Sequence, residues 1–190
     1  MDEFTIVDVP KDNKCFYTAC VLGLITRTED SVLQTIHPEK IIRKRVFHNK
    51  PVYSRISIKS PAFIAKCAEL LEIRVKKWIN RNRNAIYEQV GLTIDDIIQM
   101  THEISLDEYV RRTINDDPLW GGFAEQIAIS ALYNMDVCIF NTFMPNRCFE
   151  LIQHIRWEPN HAHNISSIHL LWDQDLEYGE DHYKALIPKS

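Results

Sequence analysis

A cysteine stands near the N-terminus at the point where a polar turn passes into an apolar run. Residues 11–14 are Lys-Asp-Asn-Lys, Cys15 follows, and the apolar residues begin at Phe16. Asp12 and Asn13 are residue types that cap helices, so we expect a helix to begin near Cys15. Main-chain N–H groups at a helix N-terminus favour an anion, which predicts a lowered pKa for this thiol. The same turn could direct N–H groups at an oxyanion during acyl transfer.

A histidine near the other end of the chain could serve this thiol as a general base. His182 lies in the segment Tyr-Gly-Glu-Asp-His-Tyr at 178–183, which we expect to be a polar turn directly before a strand. A histidine in that position can be held rigidly and still reach solvent, and a base need not be close to its nucleophile in sequence. Two plainer interpretations stay open: Cys15 as a buried structural cysteine and His182 as a solvated surface residue.

The elements that would position these two residues are grouped along the chain, helices first and strands last. Apolar residues spaced by three and four predict helices with one buried face over 61–80 and 123–133. Shorter helices are expected over 31–36, 39–47, 86–90, 94–100 and 106–114. Segments rich in Val, Ile and Leu predict strands over 135–140, 149–157, 167–172 and 183–188. This grouping indicates an α+β fold class or a three-layer arrangement.

Composition places the chain among ordinary globular proteins. Its 190 residues fit one domain, 1–190, with 45% hydrophobic and 25% charged residues. The net charge of −4 argues against nucleic acid as a partner, because nucleic acid favours a basic surface. The cysteines show no disulfide pattern, and neither a secretory signal nor an apolar run of about 18 residues is visible. These features predict an intracellular, cytoplasmic protein with no membrane span. An effector in a host cytosol would look the same.

Three short blocks occur in an order that resembles the OTU (ovarian tumour) family of cysteine proteases. The first is D-x-x-C-F-Y at 12–17, which is similar to the family signature G-D-G-N-C. The second is W-G-G-x-x-E at 120–125, which is similar to the family block W-G-x-x-x-E before a strand. The third is the predicted strand at 168–172 followed by His-Tyr at 182–183. The resemblance therefore covers nearly the whole chain.

The resemblance implies a fold and a site. The fold would be the papain-like cysteine protease fold of the OTU type, with helices around a small, mainly antiparallel C-terminal sheet. Cys15 would be the nucleophile, and His182 would take its proton or form an ion pair with the thiolate. Asp12 would complete the catalytic set by shaping an oxyanion loop that contains Asn13 and Lys14.

The resemblance also implies a reaction. The family includes deubiquitinases, which hydrolyse the isopeptide bond after the C-terminal glycine of ubiquitin and need no cofactor or metal. The expected partner is ubiquitin, polyubiquitin or a ubiquitin-like modifier, bound by a monomer. Acidic residues at 173–177 and 180–181 could meet the basic ubiquitin tail, and 31–114 corresponds to the variable OTU segment that contacts ubiquitin.

The first block departs from the family pattern at three positions. Lys11 and Asn13 replace its two glycines, and Lys14 replaces its asparagine. Asn tolerates left-handed backbone angles better than most residues, so Asn13 can preserve the turn. A cation at Lys14 beside Cys15 would further favour a thiolate.

The third block departs where the family often has Asp or Asn two residues after the histidine. Lys184 occupies that position, and a lysine cannot accept a hydrogen bond from imidazole. The third member of a triad would then come from elsewhere. Some OTU enzymes are similar in taking an acidic residue from before the cysteine, which makes Asp8 a candidate.

Several other interpretations compete with an isopeptidase. Loss of the third member favours a catalytically weak or inactive OTU-fold module that binds ubiquitin, and the order Cys then His is shared with papain-like proteases of ordinary peptides. A metal site is not expected, because His161 and His163 lie in a predicted loop and no ligand spacing links them to His154 or His169. The basic segment at 76–83 is typical of a solvated helix end, so no nucleic-acid site is expected there.

Overall fold

Strands from both ends of the chain meet in one sheet. The computed structural model describes residues 4–27, 46–47, 50–51, 61–114, 119–143, 148–157, 166–175 and 180–188. The strands in these ranges are β1 (Phe4–Val7), β2 (Val46–Phe47), β3 (Lys50–Pro51), β4 (Ile86–Tyr87), β5 (Leu92–Thr93), β6 (Asp136–Phe143), β7 (Cys148–Ile155), β8 (Ser167–Asp175) and β9 (Glu180–Pro188). Five of them form a sheet in the order β1-β9-β8-β6-β7, and the other four form two short hairpins.

Helices cover the sheet and supply most of the remaining core. The described helices are α1 (Cys15–Arg27), α2 (Pro61–Arg81), α3 (Ile94–His102), α4 (Leu106–Ile114) and α5 (Phe123–Tyr133). Helix α2 buries a stripe of side chains spaced by three and four, which is the period of one helical face. Helix α3 begins at a capping box in which Thr93 and Asp96 bond each other's main-chain N–H groups.

Helix α1 is the central element of the molecule. It packs against β8 and β9 on one side and against α2 on the other. Gly23 permits the close approach to the sheet, because a Cβ atom there would lie 3.2 Å from the Cβ of Ile168. Phe16, Tyr17 and Leu24 are fully buried along the helix. The first residue of α1 is thereby held at the edge where β9 begins.

The predicted fold class is confirmed: the fold is α+β with a mixed, mostly antiparallel C-terminal sheet. The pair β6 and β8 is parallel, whereas the pairs that involve β1, β7 and β9 are antiparallel. Each of the four predicted strands forms within a few residues of its expected bounds, and so do the helices expected near Cys15 and over 61–80, 94–100, 106–114 and 123–133.

Three expectations about elements are wrong. The helix expected over 86–90 is a hairpin, in which Tyr87 pairs with Leu92 and Gly91 closes the turn at a φ of 70°. The helix expected over 39–47 is contradicted at its end, where Val46–Phe47 pairs with Lys50–Pro51. His182 lies inside β9 and not in a turn before it, because pairing with β8 begins at Glu180.

Two further points concern coverage. The helix expected over 31–36 and the start of that over 39–47 lie outside the described residues. Strand β1 was not predicted, since four residues at the chain's start carry too short a pattern. Within the described part of the chain, no helix is both long and apolar enough to cross a membrane.

Candidate active site

Asp12 organises the turn that leads into Cys15. Its carboxylate Oδ1 accepts the Lys14 main-chain N–H at 2.9 Å, and its carbonyl accepts the Cys15 N–H at 3.1 Å. The Asp12 N–H itself donates to the Pro10 carbonyl at 3.0 Å. The main-chain donors that were expected to face an oxyanion are therefore engaged within the turn in this structure. Cys15 follows as the first residue of α1 and is 2% exposed.

Burial, not the helix terminus, dominates the acidity of the Cys15 thiol. Loss of solvent raises its pKa, main-chain hydrogen bonds from Tyr183, Phe16 and Cys15 itself lower it, and the Asp12 carboxylate raises it. The net direction is upward. The expected lowering of this pKa is thus wrong for this structure, because desolvation of the charged form outweighs the donors. The thiol is neutral at neutral pH.

The Cys15 side chain meets β9 at the residue next to His182. The thiol lies within hydrogen-bonding reach of the Tyr183 main chain. The rings of Phe16 and Tyr183 contact edge to face, with centroids 5.2 Å apart. Gln126 on α5 donates to the Tyr183 hydroxyl at 3.0 Å. The residue after Cys15 is therefore packed against the residue after His182, which fixes the start of α1 against β9.

His182 is on the opposite face of β9 from Tyr183, because side chains alternate along a strand. It is 5% exposed. Burial lowers its pKa first, and the Lys184 and Lys11 cations lower it further, whereas the Asp173 and Asp8 carboxylates oppose them. The imidazole is therefore neutral at neutral pH and able to accept a proton.

Lys184 and two carboxylates form an ion-pair cluster on this face. Lys184 Nζ lies 2.8 Å from Asp173 Oδ2 and 3.2 Å from Asp8 Oδ1. Asp8 follows β1, whose last pair with β9 is Val7 and Ala185. The structure thus brings the predicted candidate Asp8 to the cation two residues beyond His182. From sequence, Asp173 was expected only within an acidic stretch that could meet the ubiquitin tail, because its place beside His182 depends on strand register.

Lys14 is tied to α2 across the turn. Its ammonium lies 3.6 Å from Glu72 Oε2, and Glu72 Oε1 is 2.6 Å from Lys76 Nζ. Glu72 and Lys76 are both buried. The charge of Lys14 is therefore directed at an anion of α2. This buried pair was also missed from sequence, where the segment 76–83 that contains Lys76 was expected to be a solvated helix end.

The Trp-Gly-Gly turn packs against Phe16, the residue next to Cys15. A Cβ atom on Gly121 would lie 2.1 Å from the Phe16 ring, so only glycine fits this contact. The next N–H, of Gly122, donates to Glu125 Oε2 at 2.8 Å. Trp120 stays 42% exposed at the same turn. The W-G-x-x-x-E pattern therefore has a physical basis in a close approach followed by a helix cap.

Glu125 holds the Trp-Gly-Gly turn from the protein interior. Its Oε1 accepts the Tyr109 hydroxyl at 2.6 Å and lies 3.4 Å from His102 Nε2. Burial raises the pKa of this carboxyl, but the nearby His102 ring and the bonds from the Tyr109 hydroxyl and the Gly122 N–H hold it below its ordinary value. A buried, ionised carboxylate thus fixes the turn.

The described residues contain no group of three or more metal-ligating side chains. His154 bonds Asp136 at 2.7 Å, and His169 packs 4.9 Å from the Phe4 ring, so both have structural contacts. His161 and His163 lie outside the described residues.

Comparisons by sequence and by structure give different results. No protein-family model matches the chain, and no curated protein matches it by sequence. Solved structures do match. This chain superposes on the viral OTU domain protease from Taggert virus with a TM-score of 0.58 and 17% sequence identity. The match covers 100% of this chain and 82% of that chain.

Two further matches are structures with ubiquitin bound. The Hazara virus OTU bound to ubiquitin gives a TM-score of 0.55 at 18% identity, covering 100% of this chain and 84% of that chain. An OTU deubiquitinase from Wolbachia pipientis wMel bound to ubiquitin gives a TM-score of 0.53 at 14% identity. The match covers 99% of this chain and 98% of that chain. Likeness at this identity establishes the fold, so the resemblance found in the three blocks is confirmed at the level of architecture.

Proposed function

We propose that this chain, which has the OTU fold, is a thiol-dependent isopeptidase that cleaves after the C-terminal glycine of ubiquitin. Cys15 is the nucleophile, His182 the general base, and Asp12 shapes the oxyanion loop. One observation carries the proposal. The buried thiol at the start of α1 lies against the main chain of the residue that follows His182, in a fold whose solved examples include two with ubiquitin bound.

The protonation states favour a general-base mechanism over a standing ion pair. The pKa of the Cys15 thiol is raised and that of the His182 imidazole is lowered, so both groups are neutral at rest. His182 would take the thiol proton as Sγ attacks the carbonyl carbon. The resulting imidazolium would protonate the leaving lysine amine, and water would then release ubiquitin from the thioester.

The oxyanion step requires a change in the turn. The Cys15 N–H donates to the Asp12 carbonyl and the Lys14 N–H to the Asp12 carboxylate. For Cys15 N–H to stabilise an oxyanion, the first of these bonds has to open when substrate binds. Apo geometry of this kind is compatible with a catalytic role, since active-site hydrogen bonds often form only in the substrate complex.

The proposed partner is ubiquitin, polyubiquitin or a ubiquitin-like modifier bound to a monomer. Exposed Trp120 borders the site on one side, and the carboxylates of Asp173 and Asp8 border it on the other. An apolar platform and an acidic edge suit an extended, basic peptide tail.

A second candidate is a catalytically weak or inactive module that binds ubiquitin without cleaving it. Two observations favour it: Lys184 occupies the position of the usual imidazole acceptor, and the Cys15 thiol has a raised pKa. Both features lower reactivity while leaving the fold unchanged.

The test uses ubiquitin with a C-terminal propargyl warhead and mass spectrometry of the intact protein. We expect one ubiquitin adduct on the wild type, none on Cys15→Ala, and a retained adduct on Cys20→Ala, which removes the next cysteine of α1. Cleavage of a ubiquitin C-terminal amide, but not of an unrelated peptide amide, would separate this function from that of a general papain-like protease. Wild-type protein that binds ubiquitin but forms no adduct would support the inactive module instead.

A further inference from the structure

Strand register gives His182 an acidic neighbour on β8. In the antiparallel pair of β8 and β9, Asp173 is the residue directly opposite His182. Side chains of directly opposed residues are on the same face, with Cβ atoms about 4.5–5.5 Å apart. A carboxylate and an imidazole at that separation can meet in a hydrogen bond. Asp173 therefore lies opposite His182 in the sheet, and its carboxylate is close enough to raise the pKa of the imidazole.

An ion pair with Lys184 stabilises the Asp173 carboxylate at its position opposite His182. Lys184 shares the face of His182, and its ammonium lies 2.8 Å from Asp173 Oδ2. A carboxylate has lone pairs on two oxygens, so a bond to Lys184 leaves capacity for a second donor. The lysine thus fixes one oxygen of the Asp173 carboxylate on the face that carries His182 and offsets its charge.

Asp8 bonds the same lysine but is less well placed. Its side chain is 79% exposed and lies beyond the last paired residue of β1, whereas that of Asp173 is 38% exposed and belongs to a paired strand. A residue on a paired strand is positioned more precisely than one on a connecting segment, which favours Asp173 over Asp8. We propose that Asp173, contributed by β8 and held by Lys184, is the residue that orients the His182 imidazole.

This inference rests on the proposed function only for its catalytic consequence. The orientation itself can be measured without substrate, by NMR of the His182 ring in the apo protein. We expect the wild type to hold one imidazole tautomer and Asp173→Asn to show a mixture. Among the described side chains, Lys184, Lys11, Asp173 and Asp8 act on the ring electrostatically, so each variant also shifts its titration.

Two variants break the same ion pair from opposite sides. Asp173→Asn removes an anion and should move the imidazole titration to lower pH, whereas Lys184→Met removes a cation and should move it to higher pH. With a ubiquitin C-terminal amide, Asp173→Asn should lower kcat by roughly 100-fold with little change in KM, the lower end of what a general base contributes. Lys184→Met should lower kcat by less than Asp173→Asn does, because Asp173 remains fixed in the paired strand β8 without its ion pair, and Asp8→Asn serves as the matched acidic control.

The outcomes separate the two claims. Equal losses of kcat in Asp173→Asn and Lys184→Met would mean that the pair is merely structural, and a larger loss in Asp8→Asn would assign the role to Asp8. An unchanged ring tautomer in Asp173→Asn would also overturn the proposal. A wild type that forms no ubiquitin adduct would refute the proposed function, while the ring tautomer would still decide whether Asp173 orients His182.

Discussion

The two sides of the candidate site are built from different kinds of interaction. Around Cys15, the contacts are buried: the Phe16 ring against Gly121, the Glu125 carboxylate at the turn, and Glu72 paired with Lys76. Around His182, the contacts are ion pairs of Lys184 with two partly exposed carboxylates. Buried contacts of this type resist change, whereas exposed pairs are weak and adjustable. Cys15 is therefore fixed by packing, whereas at His182 charged neighbours add to the effect of burial on the pKa.

The largest effect should come from breaking the buried ion pair on the Cys15 side. Glu72→Leu leaves Lys76 buried without its carboxylate and should lower the free energy of unfolding by about 3–5 kcal/mol. Urea unfolding followed by circular dichroism measures this loss. The double variant Glu72→Leu/Lys76→Met should recover much of it, because no unpaired charge remains.

The matching substitution on the His182 side should destabilise the protein only mildly. Lys184→Met breaks two ion pairs but should lower the free energy of unfolding by less than about 1 kcal/mol, because these carboxylates are partly solvated. Equal destabilisation by Glu72→Leu and Lys184→Met would contradict the contrast between the two sides.

The next effect concerns the close contact of the Trp-Gly-Gly turn. Gly121→Ala forces a Cβ into the Phe16 ring and should cost about 1–3 kcal/mol while lowering kcat, since Cys15 adjoins Phe16. Gly91→Ala is the control. It strains a turn at φ 70° for about 1–2 kcal/mol, far in sequence from Cys15 and His182, and should leave kcat unchanged.

A smaller effect is expected in the pH dependence of thiol alkylation. Because the pKa of Cys15 is raised, its thiolate should form only above the usual thiol value of about 8.5. Iodoacetamide labelling across pH, with peptide mapping of Cys15, measures the midpoint. Asp12→Asn keeps an oxygen to accept the Lys14 N–H but removes the anion, so the midpoint should fall. A wild-type midpoint well below 8.5 would indicate a standing thiolate–imidazolium pair.

The smallest expected effect is a salt dependence of the His182 titration. Raising the ionic strength from about 0.01 to 1 M shortens the Debye length from about 30 to 3 Å and should screen the exposed cluster around Lys184. Because Lys184 and Lys11 lower the pKa of His182, salt should shift the imidazole titration by a small amount. The Cys15 labelling midpoint should move less, because burial sets it.

The parts of the site that were predictable from sequence are those governed by local patterns. The helix start at Cys15, the Asp12 turn and the block at 120–125 each depend on residues a few positions apart. Their order along the chain was sufficient to indicate the OTU fold. The hairpin at Ile86–Tyr87 was missed, because a short apolar segment has no period that separates a strand from a helix.

What the sequence by itself determined is the chemistry available: a thiol at a helix start, a histidine near a strand, and a lysine where an imidazole acceptor is usual. Only the tertiary structure decided the protonation of the thiol and the charged neighbours of the histidine. Burial of the helix start raises the pKa of Cys15 against the expectation from its position. The register of β8 against β9 places Asp173 opposite His182 and beside Lys184. Desolvation and register both depend on contacts between distant segments, which local residue patterns do not encode.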